Sequence, residues 1–149
     1  MTDDTYRNIA LDVFSRIQQA FPHLKMNLEL NPEHVDLALD IPEQEGLGFS
    51  IGLNLQWDEL HLQAGAFWLE WFPCQYPEKS QAYFNAVCGL ISGRFRILEH
   101  CRGNRVVKAW LQEPDGAGWK TIGRWSSMHL PLPWLNTTRE LRNTILASK

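Results

Sequence analysis

Apolar residues recur every third or fourth position from Tyr6 to Phe21, and every second position once Pro22 is passed. This change of period does most to limit what the chain can become. Tyr6, Ile9, Ala10, Val13, Phe14, Ile17, Ala20 and Phe21 fall on one face of a helix, and such a face must pack against something. Thr2 or Asp3 is expected to cap its first turn, and Asp3 and Asp4 suit the positive end of the helix dipole. Pro22 stops the helix because it has no N–H to donate. Beyond it Leu24, Met26, Leu28 and Leu30 alternate with Lys25, Asn27 and Glu29. Asn31-Pro32 then turns the chain into Val35, Leu37, Leu39 and Ile41, so an antiparallel hairpin is predicted.

Leu47, Phe49, Ile51, Leu53 and Leu55 continue the alternation, and Trp57-Asp58-Glu59 leads into a fourth strand from Leu60. Alternation fails from Gly65 onward, where Ala66, Phe67, Trp68, Leu69 and Trp71 run almost unbroken. Both faces of that strand are therefore expected to be covered, at the centre of a sheet or at an interface. Residues 78–91 read as a second helix closed by Gly93. Strands are predicted at 94–101, 105–113 and 119–125, joined by Gly-containing turns at 102–104 and 114–118. After an irregular stretch around Pro131 and Pro133, Thr137 and Glu140 fit a capping box for a short terminal helix through Leu141, Ile145 and Leu146. The order helix, four strands, helix, three strands, helix contains no βαβ alternation. The expected class is α+β: antiparallel sheet from two meanders of about seven strands, with N-terminal, middle and short C-terminal helices.

Composition sets the scale. A chain of 149 residues, 44% hydrophobic and 21% charged, suits one core, so residues 1–149 are expected to form a single domain. No secretory leader pattern opens the sequence and no apolar run reaches transmembrane length. A cytoplasmic protein without membrane contact is the expectation. The odd set Cys74, Cys88 and Cys101, without CxxC spacing, points to reduced thiols rather than disulfides or a zinc site.

Charge is divided unevenly. From Pro22 through Glu78 ten carboxylates face Lys25 alone, whereas from Arg94 through Arg124 seven basic residues outnumber three acidic ones. Alternation places Arg94, Arg96, His100 and Arg102 on one side of their strand, and Lys108, Trp110 and Gln112 on one side of the next. Where those sides coincide, Arg94, Arg96, Lys108 and Trp110 form a candidate basic face. Cations beside a stacking ring are what single-stranded nucleic acid requires, but the acidic chain, with pI ≈ 5.9, disfavours that partner. The acidic first meander instead attracts a basic protein.

Catalytic patterns are scarce: GxGxxG, Walker A, HExxH and the EF-hand loop are all absent from the sequence. Gly48-Phe49-Ser50-Ile51-Gly52 superficially resembles a nucleophile elbow, yet the residues after it read as strand rather than helix, so Ser50 is not expected to be a nucleophile. His34 and Asp40 are about 20 Å apart on an extended strand, too far to share a metal ion. No cofactor and no metal are expected, and an enzyme is disfavoured. One constellation is retained as candidate interface or pocket: His61, Trp68, Glu70 and Trp71.

The coarse order of elements is similar to that of secretion chaperones, which pair as dimers and wrap an extended stretch of another protein. That likeness is topological and carries no motif and no functional residue. Immunity-type proteins that neutralise basic toxins offer a second analogy, through size and acidity. The functional expectation is a noncatalytic protein-binding module that self-associates as a homodimer, with Trp68 and Trp71 as anchors. The alternative is a small-molecule-binding protein or enzyme with a pocket near Trp68 and Glu70.

Overall fold

A computed structural model describes residues 2–127 and 136–144 of the chain. The first helix, α1 (Asp3–Ala20), forms as its period predicts. Thr2 is the N-cap, its hydroxyl accepting from the Thr5 N–H, and Tyr6, Ala10, Val13, Phe14 and Ile17 are buried. Five strands follow: β1 (Asn27–Glu29), β2 (Leu37–Ile41), β3 (Ile51–Gln56), β4 (Glu59–Ala64) and β5 (Phe67–Trp71). They pair in chain order as one antiparallel sheet. Leu37, Leu39, Ile41, Ile51, Leu53, Leu55, Leu60 and Leu62 are all buried on the side that faces α1 and α2 (Pro77–Ser92).

The chain then builds a second antiparallel sheet from β6 (Arg96–Arg102), β7 (Arg105–Asp115), β8 (Gly118–Ser126) and β9 (Asn136–Leu141), in the order β8-β7-β6-β9. The class is α+β, with two helices and two antiparallel sheets among the described residues. Two expectations need correcting. The seven-strand arrangement becomes nine strands in two sheets among the described residues: Gly65 and Ala66 form a turn that divides the apolar fourth strand into β4 and β5, and β9 is added at the end. β5 is thus an edge strand of its sheet rather than a central one.

The second correction concerns Thr137–Leu141, which form strand rather than the start of a helix: Leu98 pairs with Glu140 and Cys101 with Thr137. β6 offers an unpaired edge whose N–H and C=O groups a strand satisfies and a helix does not. Ile145, Leu146, Pro131 and Pro133 lie outside the described residues.

The apolar run 66–71 is covered by its own chain. β5 packs against α2, β7 and β8. Gly123 on β8 permits the close approach, since a β-carbon there would stand 2.6 Å from Leu69 Cδ2 and 3.3 Å from Phe67 Cζ. A polar seam joins the sheets nearby. Glu99, 1% exposed, accepts from the backbone N–H of Ala66 at 3.3 Å and from Arg139 Nε at 2.8 Å. Gly65 has φ +57°, and a β-carbon on it would meet Glu99 Oε2 at 3.0 Å, so both conformation and space call for glycine. The buried Asn143 donates to the carbonyls of Gly46 and Ile91.

Candidate functional site

Pleating sends alternate residues of the first sheet outward, away from the helices, and the strand register lines them up in rows. One row runs Glu29, Ala38, Asn54, His61 and Glu70 across β1 to β5. The next runs Asn27, Asp40, Gly52, Gln63 and Trp68. Glu59 stands beside them at the start of β4, opposite Gln56. Among the described residues these rows hold no lysine or arginine.

The small side chains of Ala38 and Gly52 leave a shallow trough between taller neighbours. Asn54 Oδ1 lies buried there and accepts no hydrogen bond from the described residues. An amide oxygen removed from water without a donor costs about 1–3 kcal/mol. Where the trough meets the turn at Gly65, Asp40, Pro42, Ser50, Gly52 and Gln63 help line a depression of about 380 Å³. The polar side chains among them are a carboxylate, a hydroxyl and an amide, and the carboxylate, when ionised, can only accept hydrogen bonds.

His61, Trp68 and Glu70 share this outward face. His61 Nε2 lies 3.0 Å from Glu59 Oε1, and its ring meets Trp68 edge-on with centroids 4.9 Å apart. The histidine is thereby held by a carboxylate and a ring. Trp71 is the exception among the four candidates. Odd and even residues of β5 point to opposite sides, so Trp71 faces inward and packs on Tyr83, with centroids 5.4 Å apart. Trp68 and Trp71 therefore cannot form one anchor.

Arg96, Lys108 and Trp110 lie on the outward side of the second sheet, since Arg96 pairs with Gln112, Leu98 with Trp110 and His100 with Lys108. Arg94 precedes β6 and lies over the Phe95 ring. Arg96 is fully engaged: it donates to Gln112 and Glu140, each at 2.8 Å, and its guanidinium lies 4.3 Å from the Trp119 ring centroid. Arg142 approaches the same ring at 5.1 Å. His100 meets Trp110 at 6.0 Å.

The remaining chemistry is subdued. Burial, reinforced by the nearby Asp58 charge, pushes the Cys74 thiol up to about 11, and burial pushes Cys88 to about 11 against the pull of Arg16 and Arg94. Both thiols are protonated at neutral pH and poor nucleophiles. Ser50 leads into β3 rather than a helix, so the Gly48–Gly52 run makes no nucleophile elbow. No group of three metal-ligating side chains occurs among the described residues, and no helix among them is long and apolar enough to cross a membrane.

A cleft of about 440 Å³ opens between α1 and the start of α2. It is lined by Asn8, Asp12, Arg16, Cys74, Gln75 and Ser80 among others. This cleft lies behind the sheet, away from Trp68 and Glu70. Spacing along α1 alone would have aligned Asn8, Asp12 and Arg16, but their partners come from the loop before α2, which periodicity does not place. Comparison with protein-family models, with curated proteins and with solved structures finds no match to this chain.

Proposed function

We propose that this chain is a noncatalytic protein-binding module that receives a basic segment of a partner on the outward face of its first sheet. The observation that carries this reading is the carboxylate-rich outward face: Glu29, Asp40 and Glu70 in its rows and Glu59 beside them, with no lysine or arginine among the described residues of those rows. An arginine or lysine lying over Ala38 and Gly52 would supply both donors and positive charge to the carboxylates. Steering by the acidic face would speed the encounter.

Self-association is the second part of the reading. Trp68, 38% exposed, is its candidate anchor, since Trp71 is committed to Tyr83. The two parts differ in their response to salt. A basic partner is held by attraction, which salt screens, whereas two copies meeting through acidic faces repel, and salt relieves that repulsion.

Titrating the protein with a synthetic oligo-arginine peptide at low and high salt tests the first part. Binding should weaken several-fold with salt and again in Asp40→Asn/Glu70→Gln; equal affinity in that variant would sink the reading. Sedimentation of the same samples, with Trp68→Glu as control, should show any dimer growing with salt. A small-molecule site is the second reading, and the cleft between the helices supports it through the buried, unpartnered Gln75 Oε1. A compound retained through native mass spectrometry would turn the assignment that way.

A further inference from the structure

Three aromatic rings that packing does not require come together at one end of the first sheet. Trp57 sits in the turn between β3 and β4 and is 61% exposed; Phe72 and Tyr76, in the loop from β5 to α2, are 47% and 50% exposed. The two loops are joined directly, because the Cys74 N–H donates to the Asp58 carbonyl at 2.8 Å. The first turns of α1 complete the end, with Tyr6 meeting Trp57 edge-on at 6.3 Å.

Trp57 is also backbone-strained. Its φ is +55°, a left-handed conformation that crowds any residue with a β-carbon and that two-residue hairpin turns ordinarily give to Asn or Gly. Asp36 Oδ2 fixes it by accepting the Trp57 N–H at 2.6 Å. Strain of this kind, held in place by a neighbour, points from structure to function. Here it keeps a large ring in water where a smaller residue would relieve the backbone.

The surroundings select the partner. The elements that form this end carry six carboxylates, Asp3 and Asp4 in the first turn of α1, Asp36 on the Trp57 N–H, Asp58 and Glu59 after Trp57, and Glu78 in the first turn of α2, against Arg7 and Lys79. Arg7 is further occupied in donating to the carbonyls of Leu30 and Asp36. Two copies meeting through this end would bring like charges together, and an anionic bilayer would be repelled by it. A cationic chain with large apolar side chains meets both the rings and the rim.

We infer that the loop cluster of Trp57, Phe72 and Tyr76 is a docking surface for a basic, amphipathic segment of another protein, with the three rings as its anchors. The inference rests on the reading of this chain as a protein-binding module, but it places the apolar anchors at the sheet's end rather than on its outward face. Aromatic anchors ringed by charge that complements the partner are the usual anatomy of such a contact.

The test uses fluorescence anisotropy of a labelled synthetic peptide of leucine and lysine patterned as an amphipathic helix, with a serine-for-leucine counterpart. The first peptide should bind saturably and the second at least tenfold more weakly. Trp57→Asn, and separately Phe72→Ser/Tyr76→Ser, should each weaken binding about tenfold or more while the melting temperature stays within about 2 °C. No saturable binding, equal affinity for both peptides, or unchanged affinity in both variants overturns the inference. So does binding to phosphatidylserine vesicles without binding to the peptide. If Trp57→Asn lowers the melting temperature, that ring belongs to the fold and the Phe72/Tyr76 variant decides. Asp40→Asn/Glu70→Gln separates the two readings. Loss in that variant alone leaves the trough standing and removes the anchors assigned here, and loss in the loop variants alone does the reverse.

Discussion

On the outward side of the first sheet, Asp40 and Glu70 form no ion pair with the described residues; on the second, Arg96 is already matched by Glu140, Gln112 and Trp119. The two sheets share their hydrogen-bonding scheme and differ in what their outer faces leave unsatisfied. Charge matched within its own chain stabilises little and recruits nothing, whereas charge of one sign on an open face projects a field. A basic residue on a strand's outer side is therefore not by itself an open cation, as Arg96 demonstrates. Of the seven cations between Arg94 and Arg124, Arg96 is capped by a carboxylate from β9 and a ring from β8.

Breaking the seam between the sheets should have the largest effect. Glu99→Ala removes the acceptor shared by the Ala66 N–H and Arg139, and leaves that part-buried N–H without a partner. Chemical denaturation should show a loss of about 2–3 kcal/mol, with Glu99→Gln losing less because an amide oxygen still accepts. Gly65→Ala comes next: the left-handed turn opposes a β-carbon, and Glu99 Oε2 stands 3.0 Å from where it would sit. A cost of about 1–2 kcal/mol is expected by the same measurement. Glu140→Gln should be the mildest, at most about 0.5 kcal/mol, since the Arg96–Glu140 pair is partly exposed. Its value is in the contrast. If Arg96 is quiet only because Glu140 matches it, this variant should gain affinity for oligo-glutamate over the parent.

How much of this was legible depended on whether the relevant contact was local. α1, α2 with its Gly93 cap, and the turns at Gly103 and Gly116 follow from signals a few residues long, and the structure forms them there. The turn at Gly65 was hidden because the residues after it are apolar for a reason alternation cannot express: Phe67 and Leu69 meet β8 of another sheet. Thr137-x-x-Glu140 imitates a helix start, and only the open edge of β6, some forty residues earlier, makes it strand. In the candidate face, alternation by itself separates Trp68 from Trp71, and the sequence could have been read that way. The exposure of Trp57, Phe72 and Tyr76 had no comparable signal, since turn residues have no period.

Asn143 carries a consequence for the order in which this molecule can be completed. The carbonyls of Gly46 and Ile91 acquire its amide donor only from a residue 97 and 52 positions further along the chain. β6 likewise receives its second neighbour from residues 136–141. Contacts of such sequence separation carry a loop-closure cost and slow the search for the native state. The first sheet can pair strand by strand in sequence, whereas the β6 edge and these two carbonyls wait for residues 136–143. A nascent chain emerging vectorially therefore keeps the β6 edge open until β9 arrives, and the two backbone acceptors open until Asn143 follows it.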